Sequence, residues 1–223
     1  RAHSGAREQA RVAFQRPQLS PSEVLRRPNF WLLWFLFFIS AGAGLMVIGS
    51  ISGMAKSSMG QNAFVAVVLL AVGNAGGRVV AGVLCDKIGP KATLTVVLAF
   101  QAALMFLSIP FVAAADAGAF LLVGTATFIG FNYGANLSMF PSFAKDLWGI
   151  KHFGVNYGIL FTAWGVGGFV MSRVSQTLVS STGSYSSSFA IAGSLLVAGV
   201  LLSFFIKDRA AQQRMEILAM QSA

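Results

Sequence analysis

Charged side chains are scarce in this sequence of 223 residues. They make up 10% of it and only seven of them are acidic, whereas 56% of the residues are hydrophobic. A soluble globular domain usually carries about a quarter of its residues as charged side chains. The composition therefore excludes an ordinary soluble domain and predicts a membrane protein.

Residues that form disulfides or bind metals are also few. Cys85 is the single cysteine, which excludes an internal disulfide framework, and the two histidines with seven scattered acids provide little material for a metal site. The net charge of +9 is typical of nucleic-acid binders, but here the cations flank apolar runs and form no basic face between aromatic residues. We expect neither a cofactor nor a nucleic-acid partner.

Six apolar runs are long enough to cross a bilayer. A hydrocarbon core about 30 Å thick requires roughly 20 helical residues at 1.5 Å each. We expect helices because lipid offers no hydrogen bonds to an open strand edge. The predicted spans are residues 30–51, 62–84, 92–112, 117–140, 153–179 and 189–206.

The predicted fold class is therefore an all-α membrane protein with three parts. Residues 1–28 form a cytoplasmic loop or tail, residues 29–206 form a six-helix transmembrane domain surrounded by membrane lipid, and residues 207–223 form a cytoplasmic C-terminal tail. The opening residues are polar and lack the apolar core of a signal peptide. We expect the chain to be a piece of a longer protein.

The distribution of lysine and arginine predicts the orientation. With six spans, both termini and the turns after the second and fourth spans share one side, which holds thirteen of the cations, whereas Lys56 alone lies on the other side. The positive-inside rule then places both termini in the cytoplasm, as in a multi-pass protein of the plasma (inner) membrane. The thirteen are Arg1, Arg7, Arg11, Arg16, Arg26, Arg27, Lys87, Lys91, Lys145, Lys151, Lys207, Arg209 and Arg214.

Arg78 lies deep within the second span, where an arginine costs roughly 2.5 to 3.5 kcal/mol on insertion. Its guanidinium stays charged and offers a fixed fork of donors that suits a carboxylate. No acidic residue lies inside any span, so we predict that Arg78 binds an anionic ligand, together with Asn74 one turn earlier. An ion pair with an acid outside this chain remains an alternative. Arg173 lies near the external end of the fifth span, where we expect it to reach the lipid headgroups.

The fourth span carries polar residues in its centre. Asn132 and Asn136 share one helical face, Tyr133 lies beside them, and Gly130 and Gly134 permit close approach of another helix. Polar groups at that depth need partners. We include Tyr133 and Asn136 in the predicted binding site.

The fifth span carries an aromatic stripe. Asn156 and Tyr157 are followed by Phe161, Trp164 and Gly168 at steps of three and four, which align on one face of a helix. Such stripes are often helix packing. Apolar and aromatic walls with few polar groups are also typical of a small-ligand pocket, so we include Phe161 and Trp164 in the predicted site.

The turn between the second and third spans carries a family motif. Its sequence resembles the G-x-x-x-D-[RK]-x-G-[RK]-[RK] motif of the major facilitator superfamily, in the copy found in the carboxyl-terminal half. Pro90 is a departure, because it replaces a basic residue. The residues that match this cytoplasmic gate motif are Gly82, Asp86, Lys87, Gly89 and Lys91.

A narrower resemblance extends from Ser20 onward. The sequence is similar to the oxalate/formate antiporter family in the segments 29–34, 44–49, 77–78 with 86–89, 140–142, and 156–158 before 161–163. The resemblance implies that the chain is the carboxyl-terminal six-helix half of a twelve-helix major facilitator fold, whose partner is the N-terminal six-helix half. It also implies that Arg78 is the carboxylate-binding arginine and that Tyr133 and Phe161 wall the pocket.

Trp164 bears on the substrate. The family's oxalate exchangers resemble this sequence through residues 161–163 and then place a lysine in the cavity, where this chain has Trp164; Leu137 likewise replaces a polar aromatic residue. A dicarboxylate favours two cations, and this half supplies one. We therefore expect a small monocarboxylate such as formate, acetate, lactate or pyruvate, moved by proton symport or by exchange, with oxalate/formate exchange as a further possibility.

The predicted function is secondary transport of a small organic anion by alternating access. A membrane enzyme is a weaker alternative, because His3 and His152 lie in loops and no nucleophile and base converge at one depth. A non-transporting sensor or a half-size structural membrane protein is the other alternative. Uptake into sealed vesicles would distinguish it from a transporter.

The predicted orientation can be tested by cysteine labelling. We expect an impermeant thiol reagent added outside to modify the variants Ser58→Cys and Ser184→Cys and to leave Lys87→Cys and Lys151→Cys unmodified until the membrane is opened. The reverse pattern of labelling would contradict the orientation.

Overall fold

Long helices dominate the computed structural model, which describes residues 18–113 and 119–206. Six long helices occur at the positions of the six predicted spans, so the all-α class is confirmed for the described residues. In chain order the elements are α1 (Pro21–Leu25), α2 (Pro28–Met59), a 3-10 turn (Gly60–Ala63), α3 (Phe64–Ile88), α4 (Pro90–Ala113), α5 (Ala119–Trp148), α6 (Phe153–Thr182) and α7 (Ser186–Ser203).

Five of these helices are long and apolar enough to cross a membrane, considering the described residues alone: α2, α3, α4, α6 and α7. α5 has 30 residues, carries Asn132, Tyr133 and Asn136 at its centre, and begins directly after residues 114–118, which lie outside the described part. Six helices therefore have the length that the predicted spans require, and five of them also meet the apolar composition of a membrane span within the described residues.

α5 continues beyond its predicted end at residue 140. Pro141 lies inside the helix, where it removes a backbone hydrogen bond. The extra turns nevertheless form, because Phe143, Leu147 and Trp148 are buried against the bundle. Tertiary packing outweighs the local cost of the proline.

The helices pack mainly in three pairs: α3 with α5, α2 with α6, and α4 with α7. In the first pair the two helices run in the same direction, since Gly73 faces Thr127 and Gly77 faces Phe131. A Cβ atom on Gly77 would collide with the carbonyl oxygen of Phe131. The backbones of α3 and α5 are therefore in direct contact, as small residues permit in membrane helix pairs.

The segment before α2 is packed onto the turn between α5 and α6. The backbone N–H of Leu19 donates to the carbonyl of Trp148 at 2.9 Å, and Asn156 Nδ2 donates to the carbonyl of Leu19 at 3.0 Å. The N–H groups of residues 150 and 151 donate to Gln18 Oε1 at 3.1 and 2.8 Å. The end of the predicted loop is thus part of the bundle, whereas residues 1–17 and 207–223 lie outside the described residues.

α1 begins with a local charge-assisted contact. The N–H and the hydroxyl of Ser20 donate to Glu23 Oε2 at 2.8 and 2.6 Å. These hydrogen bonds hold the pKa of Glu23 below its ordinary value, and the positive charge of Arg27 acts in the same direction. The contact therefore stabilises α1 at neutral pH, and its contribution is lost as the pH falls through the lowered pKa.

Gly134 tests the importance of the contact between α3 and α5. A Cβ atom on Gly134 would collide with the carbonyl oxygen of Asn74, whereas one on Gly124 of the same helix meets nothing within 4 Å. We expect Gly134→Ala to lower stability by about 1–3 kcal/mol and Gly124→Ala to change it far less. Thermal unfolding of the purified complete protein measures both, and equal effects would contradict the close contact.

Candidate functional site

Arg78 lies on α3 with its side chain exposed at the surface of the bundle. Its Nε donates to Asn74 Oδ1, one turn earlier, at 3.1 Å. The acidic residues of the described part, Glu23, Asp86 and Asp146, lie in α1 or near helix ends. Arg78 therefore has a neutral partner for Nε, and its two Nη groups extend beyond that contact.

α3 holds Arg78 in place through its packing on α5. Ser138 Oγ donates to the carbonyl of Arg78 at 3.0 Å. Gly77, the preceding residue, lies against the backbone of Phe131. The backbone from which the guanidinium extends is therefore fixed by two contacts with the same neighbouring helix.

Tyr133 and Trp164 form a hydrogen-bonded pair between α5 and α6. Trp164 Nε1 donates to the hydroxyl oxygen of Tyr133 at 2.8 Å. The ring of Trp164 stacks on Phe161 with centroids 5.1 Å apart and an interplanar angle of 16°. Tyr133 also lies against Gly44 of α2. Three of the residues predicted from the sequence are thus brought together as one aromatic wall.

Tyr157 joins this wall, although it was not among the predicted binding residues. Its ring lies 5.6 Å from that of Phe161 and stacks on Phe153 at 5.7 Å with an interplanar angle of 3°. The guanidinium of Arg78 lies in the neighbourhood of the hydroxyls of both Tyr133 and Tyr157. The aromatic stripe was visible in the sequence, but the proximity of Tyr157 to α3 depends on tertiary packing.

Asn136 occupies a different position. It is 0% exposed, whereas Arg78 is exposed, so its side chain lies inside the bundle and not on the surface that carries Arg78. Neither its Oδ1 nor its Nδ2 has a hydrogen-bond partner in the described structure. Asn136 is therefore not on the exposed surface that carries Arg78.

The segment predicted to be a gate motif forms the sharp turn between α3 and α4. Gly89 has φ of 85°, in the left-handed region that favours glycine, and its N–H donates to the carbonyl of Cys85. Lys91 Nζ donates to the carbonyl of Phe204 at 3.0 Å and so caps the end of α7. Gly82 has open space at its Cβ position, and Asp86 and Lys87 are exposed.

Comparisons with known proteins agree with this architecture. Residues 2–172 match the sequence model of the Major Facilitator Superfamily. The chain is 29% identical over 153 residues to the "Uncharacterized MFS-type transporter YhjX" of Escherichia coli (strain K12), an alignment that covers 66% of this chain and 36% of that protein. It is 30% identical over 166 residues to the "Oxalate:formate antiporter" of Oxalobacter formigenes, covering 71% of this chain and 37% of that protein.

The chain spans just over a third of the length of the curated relatives that it matches. Its six long helices are consistent with one six-helix half of the twelve-helix fold, and its apolar helices make it an integral, multi-pass membrane protein. The chain belongs to the Major Facilitator Superfamily.

Proposed function

We propose that this chain forms one half of a secondary transporter that moves a small organic anion across the membrane by alternating access. The observation that carries the proposal is the position of Arg78, which is exposed near the middle of the apolar helix α3 and whose Nε is held by the neutral side chain of Asn74. A permanent positive charge near the middle of a membrane helix is costly. An anionic substrate in a wet pathway would compensate for that cost.

The contact with Asn74 supports recognition of a carboxylate. Asn74 Oδ1 accepts from Nε at 3.1 Å, which fixes the rotation of the guanidinium about its long side chain. The two Nη groups then present parallel N–H donors to both oxygens of one carboxylate. In this proposal Asn74 is a positioning residue, and Arg78 is the group that contacts the substrate.

The aromatic wall supports a small substrate. Trp164 is held between the hydroxyl of Tyr133 and the ring of Phe161, so it fills the space where the resemblance places a lysine in oxalate exchangers. With one cation on this surface, a monocarboxylate is favoured over a dicarboxylate. Formate is of this class, and one relative is named for exchanging formate with oxalate.

The N-terminal six-helix half is the proposed partner. The surface that carries Arg78 is open in the described structure, and α6 has glycines with open space at their Cβ positions on its exposed side: Gly154, Gly158 and Gly165. A second bundle placed there would close the pathway and could rock about the bound anion. We place the complete protein in the plasma (inner) membrane with both termini in the cytoplasm.

Arg78 is the first test. A charged hydrogen bond is worth roughly 1.5–3 kcal/mol, so losing it weakens binding by about tenfold or more. We expect Arg78→Ala to abolish measurable formate or lactate binding by the complete protein, and Arg78→Lys to weaken it by about tenfold because the fork is lost.

Arg173→Ala is the matched control, because Arg173 is exposed on α6 and its guanidinium lies over the Phe169 ring, 5.7 Å from the ring centroid. We expect the affinity of Arg173→Ala for formate to stay within about twofold of that of the unmodified protein, because a single exposed charge interaction contributes little. A folded Arg78→Ala protein with unchanged affinity would overturn the proposed function.

Trp164 tests the substrate class. Trp164→Lys should add a second cation to the wall and shift the ratio of oxalate to formate affinity toward oxalate by about tenfold or more. Trp164→Phe removes the hydrogen bond to Tyr133 without adding charge and should not shift that ratio. Titration calorimetry on the complete protein measures both, with thermal unfolding as the folding control. Tight oxalate binding by the unmodified protein would contradict the preference for monocarboxylates.

A further inference from the structure

Four buried amide side chains among the described residues have polar atoms without a protein partner, and three of them lie on α4 and α5; the fourth, Asn156, lies on α6 and is bonded to Leu19. We call Gln101 of α4 together with Asn132 and Asn136 of α5 the polar junction. All three are 0% exposed. The unpartnered atoms are Gln101 Oε1, Asn132 Oδ1, and both Oδ1 and Nδ2 of Asn136.

The amide nitrogens of Gln101 and Asn132 form hydrogen bonds within the protein. Gln101 Nε2 donates to the carbonyl of Ser40 on α2 at 3.2 Å. Asn132 Nδ2 donates to the carbonyl of Phe128 at 3.0 Å. These two bonds fix the amide planes, so the oxygens of Gln101 and Asn132 cannot turn away to find other partners.

The ring contacts of α5 locate the polar junction between three helices. Near one end of this stretch Phe128 packs on Phe100 of α4, with centroids 5.8 Å apart, and near the other end Phe140 stacks on Phe37 of α2 at 4.0 Å. Asn132 and Asn136 lie one and two turns after Phe128. They are therefore on the part of the α5 surface between the part that faces α4 and the part that faces α2. Gln101 reaches from α4 to α2 in the same region.

The polar junction is separate from the site of Arg78. α5 faces α3 through Gly130 and Gly134, which lie against Leu70 and Asn74. The asparagines lie on another face of α5, behind Tyr133. Tyr133 packs on Gly44, and a Cβ atom added to Gly44 would also lie 3.7 Å from Gln101 Nε2.

Buried polar atoms without partners are costly in an apolar interior, and native proteins satisfy nearly all of them with protein groups or with ordered water. The atoms of the polar junction are three acceptors and one N–H₂ donor. A cation would suit the three oxygens but not the donor, and the interiors of the described helices contain no acid to balance its charge. Water both donates and accepts, so it matches the complete set.

We propose that the polar junction is a binding site for one or two ordered water molecules that join α2, α4 and α5 behind Tyr133. Each water accepts from Asn136 Nδ2 or donates to the free oxygens, and a buried water typically makes about three such bonds. The site supports the aromatic wall from inside. It does not depend on the proposed anion transport.

The test compares leucine substitutions in the complete protein. Asn136→Leu removes one wall of the site and leaves the oxygens of Gln101 and Asn132 without water, so we expect a fall in melting temperature of about 5 °C or more. Met139→Leu, a volume-conserving change one turn away at a residue that is also 0% exposed, is the control and should shift it by less than about 2 °C.

The triple variant Gln101→Leu, Asn132→Leu and Asn136→Leu removes every partner at once. We expect it to regain part of the stability that Asn136→Leu loses, because the polar junction then contains no amide atom that lacks a partner. Single leucine variants that each raise the melting temperature, with additive effects, would overturn the proposal. A cation would also overturn the proposal. Its sign would be a higher melting temperature of the unmodified protein in sodium or potassium chloride than in choline chloride, together with no such difference for Asn136→Leu.

An experimental map of the unmodified protein at about 2 Å resolution gives an answer that needs no variant. The expected result is a density peak within hydrogen-bond distance, about 2.7–3.2 Å, of Asn136 and of Gln101 Oε1. Direct hydrogen bonding between the amides of Gln101 and Asn136, with no such peak, would overturn the proposal.

Discussion

A lipid interior offers no hydrogen bonds, and the structure of this chain follows from that constraint. Backbone groups in the spans must pair within their own segments, which selects long helices. Hydroxyl side chains follow the same rule by bonding back along their helices, as Thr93 does to the carbonyl of Gly89, Ser108 to that of Leu104 and Thr127 to that of Val123. Polar groups that cannot be satisfied in this way mark the places where the molecule needs something further.

Two such places in the described part of the chain carry the proposals, and they differ in accessibility. Arg78 keeps its charge on an exposed surface, where a substrate and a second bundle can reach it. The polar junction of Gln101, Asn132 and Asn136 is fully enclosed, and its mixture of donors and acceptors suits water. The same physical requirement thus separates a proposed transport site from a proposed structural one, although Tyr133 adjoins both.

Close packing of α3 on α5 connects these features. Glycines on both helices bring the backbones into contact, so Arg78 on α3 and Tyr133 on α5 are held in one relative position. The hydrogen bond from Trp164 to Tyr133 then attaches α6 to the same unit. In the proposed transport cycle these three helices would therefore move together.

The sequence alone determined the class, the number of long helices and the family. Apolar length is a local property and helices in lipid satisfy their own backbone, so the runs could be identified without knowledge of their neighbours. The prediction that Arg78 binds an anion also came from the sequence, because the cost of placing a charge within an apolar span depends on its depth and can be judged without the neighbouring helices.

Tertiary structure decided which polar residues share a surface. Asn136 has the depth and residue type of a pocket residue, yet its direction between α2 and α4 buries it, whereas Tyr157 is brought near Arg78 by the position of α6. The continuation of α5 past Pro141 and the docking of Leu19 onto Trp148 likewise depend on contacts between distant segments. Helical periodicity shows which residues share a face, but only the packing of the other helices shows what each face meets.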